Sequence, residues 1–478
     1  MTKTPPDTSP QDELLDQLKN LLDIVQEHRP RRHGPSLMTV LSEHLGRPAT
    51  DVAVLTEDLP GHRYVDYDIA LQLLAETDPQ HAMVGVGGGD MRYHNSLSDL
   101  LQGAYFGEVP VAQPDFTVLP DSPTTERTCI GFGIRLFHHD GQPVAVLERE
   151  ANPRRGQDIG TLEVLCPERA TAASVLEELR TLATTHSVLR RQVVTLKDTG
   201  YEQTSRGVTF LPRPEVRTED VILPEGTLER IKQHVLGIAE HADELRARGQ
   251  HLKRGVLLYG PPGTGKTHTL RHLVAEATDH TVVLLSGNTL GWVTMAAKIA
   301  RAMQPAIVVL EDVDLVAEDR DVSYGAQPLL FEVMDAMDGL DGDADVTFLL
   351  TTNRVAAMEH ALTQRPGRVD LAAEIPLPDL VGRIALLKLY APSGAFSRQV
   401  LESTAARLGQ TTASLAKELV RRAVLLATLE GAELHDGHLV QATDRLLDDS
   451  EELSRVLLGA RGGQGSDLAI GSIDALGS

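Results

Sequence analysis

At 478 residues the chain is too long for a single hydrophobic core, and a norm of about 150 residues per domain predicts about three domains. Its formal net charge of −23 and pI near 5.2 disfavour nucleic acid and anionic membranes as partners, because both repel an acidic protein. The two cysteines lack metal-ligand spacing, which argues against a disulfide framework and a zinc site and favours a reducing compartment.

No segment has the signature of export or membrane insertion. The N-terminus is too polar for a signal peptide, and no run approaches the ~20 consecutive apolar residues that cross a bilayer. We therefore expect a cytoplasmic protein with no membrane partner.

The chain begins with a predicted tail and a predicted helical segment. Residues 1–11 lack apolar periodicity and are predicted to be disordered. Residues 12–75 are predicted to be helical, because apolar residues recur at helical spacing over three stretches: Asp12–Glu27, Ser36–Leu45 and Asp66–Ala75.

Residues 76–198 are predicted to form a compact α+β module. Alternating residues predict a hairpin, and apolar runs predict further elements: strands Cys129–Phe137, Val144–Arg149, Leu162–Leu165 and Val193–Leu196, and helix Ala170–Thr185. The glycines at 87–89 are either a second phosphate site or a loop, and the lack of a lysine favours a loop. Because no catalytic constellation is found here, we expect residues 1–198 to bind a protein partner.

The strongest motif follows a predicted linker over residues 199–219 and a predicted long helix over Thr227–Arg248. An apolar strand, Val256–Tyr259, leads directly into a G-x-x-x-x-G-K-[ST] phosphate loop. Its eight residues are Gly260, Pro261, Pro262, Gly263, Thr264, Gly265, Lys266 and Thr267.

This loop has the composition that phosphate binding requires. Its glycines let backbone N–H groups surround phosphate oxygens, Lys266 supplies positive charge, and Thr267 offers a hydroxyl to Mg²⁺. The alternative is an ordinary glycine-rich turn. The strand before the loop and the helix after it favour nucleotide binding.

Strands alternate with helices after the loop. Apolar runs predict strands over Thr281–Leu285, Ala306–Leu310 and Val346–Leu350, with a helix over Thr294–Met303. This spacing predicts an α/β fold with a parallel sheet over residues 220–378. Ligands of such sheets bind at the carboxyl ends of the strands.

Polar residues follow two of these strands. Glu311 and Asp312 can hold Mg²⁺ and activate an attacking water, unless they are only a solvent-facing strand end. Asn353 can orient water near a γ-phosphate. Arg365 and Arg368 are either surface residues or arginines supplied to a neighbour's nucleotide.

The rest of the chain is predicted to be helical. A small lid domain over residues 379–450 is predicted to contain four helices: Gly382–Tyr390, Ser397–Leu408, Thr412–Thr428 and Asp436–Leu447. Residues 451–478 are predicted to be a flexible tail, because most of them are Gly, Ser and polar residues.

These residues together resemble the classical AAA ATPases, ring-forming P-loop enzymes that remodel proteins. The similarity covers about residues 220–445 and rests on KRGVLLYGPPGTGKT, the acidic pair, MDGL at 337–340 and TTN…RPGRVD at 351–370. Glu-Asp-Val-Asp at 311–314 and ILPEGTLERI at 222–231 look like the Bcs1-type branch, here without that branch's membrane helix. The resemblance implies a P-loop AAA module with a helical lid.

The resemblance also implies ATP and Mg²⁺ as cofactors and assigns roles to matching residues. Thr267 and Glu311 would hold the metal and Asp312 would be the base, although most classical members have the order Asp-Glu here. Asn353 would be the sensor, and Arg365 and Arg368 the fingers that act on a neighbouring subunit. The remaining nucleotide contacts would be His268 after the loop and, beside the adenine, Asp220, Ile222 and Tyr390.

Threading members of this family carry an aromatic pore loop, but the corresponding segment, Ser286–Gln304, is short here. Trp292 is the only candidate, and its role is either pore contact or packing. Bcs1-type members similarly lack a standard pore aromatic.

Two functional hypotheses follow. The first is a Mg²⁺-dependent ATPase that forms a hexameric or heptameric ring and remodels, unfolds or translocates a protein held by residues 1–198. The second is a scaffold whose assembly is switched by nucleotide. A DNA-remodelling ATPase is disfavoured by the charge of −23, so we expect no nucleic-acid partner.

Overall fold

The computed structural model describes residues 35–87, 94–103, 109–152, 157, 159–196, 207–314, 332–333, 335–337, 339, 343–354 and 369–457. The chain divides into two compact units. The first comprises Met1–Val188 and Thr199–Gly207, and the second comprises Leu189–Asp198 and Val208–Ser478. The predicted tail at 1–11 and the predicted helix Asp12–Glu27 lie outside the described residues.

The first unit is built on an antiparallel sheet with the strand order β1-β7-β6-β5-β2-β3, and β4 also pairs with β5. The strands are β1 (Val54–Leu59), β2 (Ala82–Val86), β3 (Val111–Ala112), β4 (Asp115–Pro120), β5 (Glu126–His139), β6 (Gln142–Arg149) and β7 (Gly160–Leu165). The predicted hairpin is confirmed: β5 and β6 pair as far as His139 and Gln142, around a turn in which Asp140 and Gly141 both have positive φ.

Helices cover both faces of this sheet. They are Leu37–Leu45, Tyr64–Ala75, Leu97–Gly103 and Arg169–Thr185. Successive residues of β6 enter opposite cores, Val144 and Val146 on one face and Ala145 and Leu147 on the other. Helices Leu37–Leu45 and Tyr64–Ala75 pack on this sheet, and β1 between them is one of its strands. The predicted separation of a helical segment 12–75 from a module 76–198 is therefore corrected to one unit.

A buried group of charged side chains also lies in the first unit. The Arg135 guanidinium donates to Asp68 Oδ1 at 3.1 Å and to Glu148 Oε2 at 3.3 Å, and all three side chains are buried. The chain's only two cysteines, Cys129 and Cys166, are free and buried in the same unit.

The second unit contains a sheet of the order β14-β10-β13-β12-β11-β8-β9. Its strands are β8 (Val193–Leu196), β9 (Val208–Leu211), β10 (Arg254–Tyr259), β11 (Thr281–Ser286), β12 (Ala306–Glu311), β13 (Val346–Thr352) and β14 (Leu371–Glu374). All neighbours are parallel except β8 and β9. The predicted parallel α/β sheet is therefore confirmed.

Two boundaries predicted from the sequence are corrected by this sheet. The sequence predicts that Val193–Leu196 belongs to the N-terminal module, but this strand pairs with β11 of the second unit. The predicted linker 199–219 contains β9. A strand of four residues carries too little pattern to reveal which sheet it joins.

The central strands are buried because helices cover both faces. The helix after the phosphate loop, Lys266–Glu276, packs on one face, and helix Val293–Ala302 packs on the other. The predicted helix over Thr227–Arg248 is confirmed as far as Glu240, with a π-helical stretch, Gln233–Gly237, inside it. A turn at His241 interrupts it, and a separate short helix, Ala242–Ala247, follows.

Four helices with their own apolar core form the predicted lid: Leu380–Tyr390, Arg398–Arg407, Ala413–Glu430 and Asp436–Leu457. The last helix continues to Leu457, past the predicted start of the tail at 451, and residues 458–478 lie outside the described residues. Across the described parts of both units, no helix is both long and apolar enough to cross a membrane.

Candidate functional site

The phosphate loop connects β10 to helix Lys266–Glu276, as its motif predicts. Gly260, Gly263 and Gly265 have φ values of 150°, 76° and 111°, which side-chain-bearing residues rarely adopt. A Cβ at Gly260 would also collide with the carbonyl oxygen of Ile375. The loop therefore needs glycine at these three positions for its backbone shape.

Lys266 is the charged centre of this loop. Its ammonium group donates to the carbonyl oxygens of Gly260 at 2.8 Å and Pro261 at 2.9 Å, and the residue is only 5% exposed. Burial lowers the pKa of Lys266, while the carboxylates of Asp312 and Asp314 raise it in part. A desolvated cation among neutral carbonyls is well suited to binding a polyphosphate.

The two predicted metal ligands lie together. Glu311 is the last residue of β12, and its side chain is hydrogen-bonded to that of Thr267. Burial raises the pKa of Glu311 and the nearby Asp312 adds to this, whereas the Thr267 hydrogen bond and Arg271 lower it. A divalent cation would relieve the repulsion between the two carboxyl groups.

The donor set fits Mg²⁺. A hydroxyl and a carboxylate are hard oxygen ligands, and Mg²⁺ usually takes its remaining ligands from water and substrate phosphates. Within the residues that the structure describes, no group of three or more His, Cys, Asp or Glu side chains could hold a metal ion on its own.

Asp312 and Asn353 are brought together by neighbouring strands. Asn353 directly follows β13, and its side-chain amide donates to Asp312 Oδ1 at 3.4 Å. The predicted base and the predicted sensor therefore lie at the same edge of the sheet as the phosphate loop.

Asp314, Thr351 and Thr352 also belong to this edge and were not identified from the sequence. Asp314 Oδ1 accepts hydrogen bonds from the Thr352 hydroxyl and the Asn353 backbone N–H, both at 3.1 Å. The Asp312 N–H donates to Thr351 Oγ1 at 2.9 Å. The available signals in the sequence are the third acidic residue of Glu-Asp-Val-Asp and the paired threonines before Asn353.

His268 contacts the backbone of Asp220 in this structure. Its Nε2 atom lies 3.0 Å from the Asp220 carbonyl oxygen, so it ties the segment predicted to border adenine to the phosphate-loop helix. His272, one turn later, contacts the Val216 carbonyl oxygen at 2.9 Å through Nδ1 and was not predicted. The Asp220 carboxylate itself pairs with Arg217 at 3.0 Å.

The other two predicted adenine neighbours lie at the lid. Ile222 and Tyr390 are both half-buried against the apolar core of the lid helices. Lys417 Nζ lies 5.8 Å from the centre of the Tyr390 ring, within the range of a cation–π contact.

The lid also reaches the phosphate loop directly, which the sequence did not predict. Helix Ala413–Glu430 begins after Thr412, whose side chain accepts from Leu415 N. The Ser414 N–H donates to the Gly263 carbonyl oxygen at 3.1 Å. The start of this helix is therefore joined to the loop that would hold the phosphates.

The predicted arginine fingers and the predicted pore residue are not part of the site described above. Arg365 and Arg368 lie outside the described residues. Trp292 ends the 3₁₀ turn Gly287–Trp292 and is half-buried against the core of the second unit, which supports the packing interpretation of this residue.

These features together define a P-loop nucleotide-binding module: a phosphate loop after β10, an acidic pair at the end of β12, and a polar residue after β13. Residues 256–377 match the family model described as "ATPase family associated with various cellular activities (AAA)". The part of the second unit that carries the phosphate loop is therefore the part that matches this ATPase family, whose cofactors are ATP and Mg²⁺.

Several curated proteins are similar to this region. The chain is 29% identical over 273 residues to the proteasome-activating nucleotidase of Methanoculleus marisnigri, covering 54% of this chain and 66% of the relative. It is 30% identical over 266 residues to the ATP-dependent zinc metalloprotease FtsH of Synechococcus sp., covering 52% and 41%. It is 34% identical over 192 residues to the proteasome-activating nucleotidase of Methanocaldococcus jannaschii, covering 37% and 44%.

The chain thus spans between 41% and 66% of the length of these relatives. The family match supports a relationship to the AAA ATPases, and none of these three relatives is named as a Bcs1-type protein.

Proposed function

We propose that this protein is a Mg²⁺-dependent ATPase that assembles into a ring and remodels, unfolds or translocates a protein partner. The observation that carries the proposal is that three sets of contacts lie at one edge of the sheet. They are Lys266 with its loop, Thr267 with Glu311, and Asp312 with Asn353. A polyphosphate, a divalent cation and an attacking water each find matching groups there.

Each residue has a definite task in this proposal. The loop N–H groups and Lys266 bind the phosphates. Thr267 and Glu311 would hold Mg²⁺, which would supply positive charge to the phosphate oxygens. Asp312 accepts the proton of the attacking water, and Asn353 orients that water. Arg365 and Arg368 of a neighbouring copy stabilise the charge that develops on the transferred phosphoryl group.

The similar proteins support a protein as the substrate. One is named as an activator of the proteasome and another as an ATP-dependent metalloprotease, and both names refer to machinery that acts on proteins. By analogy we propose a hexameric or heptameric ring, with residues 1–198 holding the partner. We place the protein in the cytoplasm.

A nucleotide-switched scaffold is the second candidate function. It is favoured by the short segment Ser286–Gln304 and by the packing of Trp292, which leaves that segment without an evident substrate-gripping aromatic. The same two features, with the order Glu311-Asp312, are our reasons for proposing a relationship to the Bcs1-type branch.

The ATPase proposal is tested with two variants of the site. Lys266→Ala should abolish ATP binding, because the loop loses its only lysine charge. Asp312→Asn should bind ATP but hydrolyse it at least ~100-fold more slowly, the usual contribution of a general base. Lys298→Ala, an exposed lysine of helix Val293–Ala302, is the matched control. An Asp312→Asn protein that turns over at the wild-type rate would exclude Asp312 as the base.

Assembly is tested with Arg365→Ala. This variant should bind ATP normally but lose turnover. Mixing it with Asp312→Asn should restore part of the activity, because an Arg365→Ala subunit keeps the base Asp312 and an Asp312→Asn neighbour supplies the missing Arg365. Unchanged turnover in assembled Arg365→Ala would contradict the proposed action between subunits.

The two candidate functions differ in their coupling to a partner. A remodelling ATPase should hydrolyse ATP faster when its partner is present, whereas a scaffold should change only its oligomeric state. Capture of partners on ATP-bound Asp312→Asn, followed by turnover measurements with the captured protein, separates them. In the remodelling case, Trp292→Ala shows whether this side chain couples turnover to the partner.

A further inference from the structure

Asp312 has a backbone conformation that is unusual for its residue type. Its φ is 50°, in the left-handed region, and among the described residues other than glycine only Asp140 and Arg191 share a positive φ. Asp140 lies in the two-residue hairpin turn, where such angles are normal. Asp312 lies at the end of a buried parallel strand, so another contact must hold it there.

That contact comes from the neighbouring strand. The regular ladder between β12 and β13 ends at the pair Leu310 and Leu350. Beyond the ladder, two successive backbone N–H groups donate to Thr351. Asp312 N donates to the Thr351 Oγ1 atom at 2.9 Å, and Val313 N donates to the Thr351 carbonyl oxygen at 3.0 Å. Thr351 is fully buried, so water cannot easily replace its hydroxyl.

We propose that Thr351 is the positioning residue of the general base, because its hydroxyl oxygen holds the left-handed backbone of Asp312. This inference rests on the proposed ATPase function, in which Asp312 takes the proton of water. With the peptide turned in this way, the carboxylate lies beside the amide of Asn353, at 3.4 Å. Loss of the hydroxyl releases the backbone and moves the carboxylate away from the water it must activate.

The same contact explains why a short acid stands at this position. Aspartate tolerates left-handed angles better than most residues, since its compact polar side chain can hydrogen-bond locally. A glutamate would be less tolerated in this backbone and would extend one methylene further. The aspartate at position 312 and the hydroxyl of Thr351 therefore both favour the left-handed backbone at this position.

Thr347 provides a matched control on the same strand. It is also fully buried, but its Oγ1 atom has no hydrogen-bond partner among the described residues. Thr347→Val and Thr351→Val make the same chemical change in the same strand. Only the second removes an acceptor from the backbone of Asp312.

The experiment compares steady-state ATP hydrolysis by the full-length wild type, Thr351→Val, Thr351→Ser and Thr347→Val. We expect Thr351→Val to lower kcat by about tenfold to hundredfold, the scale of a misplaced catalytic group, with KM and the affinity for a fluorescent ATP analogue unchanged. Thr351→Ser should recover most of the rate because it keeps the hydroxyl. Thr347→Val should resemble the wild type.

Three results would overturn the inference: wild-type kcat in Thr351→Val, equal losses in Thr351→Val and Thr347→Val, or a loss confined to KM. If Thr351→Val does not fold, Thr351→Ala replaces it, and it should lose kcat while Thr351→Ser keeps it. Different results would contradict the proposed ATPase function itself. The wild type would then not hydrolyse ATP, or Asp312→Asn would hydrolyse it at the wild-type rate.

Discussion

Glu148 is a carboxyl group that the first unit encloses almost completely, at 1% exposure. Arg135 contacts one of its oxygens, and within the described residues the other, Oε1, has no hydrogen-bond partner. Burial, together with the nearby Asp68, raises the pKa of Glu148 from an ordinary 4.5 to about 8, against the opposing effect of Arg135. The folded unit therefore favours the protonated acid at neutral pH.

This has a measurable effect on stability. Between pH 4.5 and about 8 the folded state keeps a proton that the unfolded state releases, so the free energy of unfolding should fall as pH rises through this range. The slope is at most about 1.4 kcal/mol per pH unit. Glu148→Gln, which stays neutral, should flatten this dependence.

The two buried cysteines of the first unit provide the measurement. Their labelling by a thiol reagent requires that the unit opens, so the ratio of labelling rates in wild type and Glu148→Gln isolates the effect of the carboxyl group at each pH. Glu177→Gln, whose side chain is 74% exposed, is the control. A ratio that does not change between pH 5 and 8 would contradict the raised pKa.

At this scale the sequence identified residue types but not their conformations. Lys266, Thr267, Glu311, Asp312 and Asn353 were predicted because their chemistry and strand-end positions are visible in the motif. The positive φ of Asp312 and its contact with Thr351 depend on how two strands end beside each other, which spacing within one segment does not encode.

Among the elements, the lid helix Ala413–Glu430 has the most direct connection to the phosphate loop. Thr412 caps its first turn, and Ser414 donates to Gly263. A Cβ at Gly263 would lie 3.2 Å from Thr412 Oγ1, so the helix start and the loop are closely packed. Movement of the lid must therefore disturb the loop.

Thr412→Ala should weaken nucleotide binding as well as the helix. Loss of an N-cap typically costs about 1 kcal/mol, which would raise the Kd for ATP by up to about fivefold if the loop depends on this helix start. Ser397→Ala removes the equivalent cap from helix Arg398–Arg407 and serves as the control. Isothermal titration with ATP should show weaker binding for Thr412→Ala alone. Equal affinities in the two variants would mean that the contact does not support the loop.

Elements with long, regular patterns were predicted best. The strands of the central sheet are continuous apolar runs, and all four lid helices were found within a few residues of their ends, except for the longer last one. The apolar spacing of Thr227–Arg248 remains helical across His241, so it does not reveal the turn there. The contact between Ser414 and Gly263 joins residues far apart in the chain, and local pattern cannot reveal it.

For the whole molecule, the position of β8 and β9 determines where the ATPase unit begins. These strands cover the edge of β11, and Val193, Val194 and Leu196 are buried in the cores of the second unit. Arg213, just after β9, donates to the carbonyl oxygens of Val274 at 2.6 Å and Ala277 at 2.9 Å, at the end of the phosphate-loop helix. The second unit is therefore larger than the 256–377 segment that matches the family.

A fragment covering residues 189–457 should accordingly fold and remain monodisperse at low concentration, whereas a fragment covering 220–457 should aggregate. The shorter fragment exposes the edge of β11 and loses about 1.5–3 kcal/mol for each buried apolar side chain of β8. Light scattering and thermal unfolding of both fragments provide the measurement. Equal stability and dispersity would show that the two edge strands contribute little.

The same arrangement imposes an order on synthesis. Residues 1–188, which contain all seven strands of the first sheet, leave the ribosome before any strand of the second sheet, so this part of the first unit can begin to fold first. Strands β8 and β9 follow, but a two-stranded ribbon is only marginally stable, and their partner β11 emerges on the order of ten seconds later. During that interval their apolar residues have no sheet to join. Exposed apolar strands of this kind are prone to aggregate, so we expect a chaperone to protect the chain during this interval.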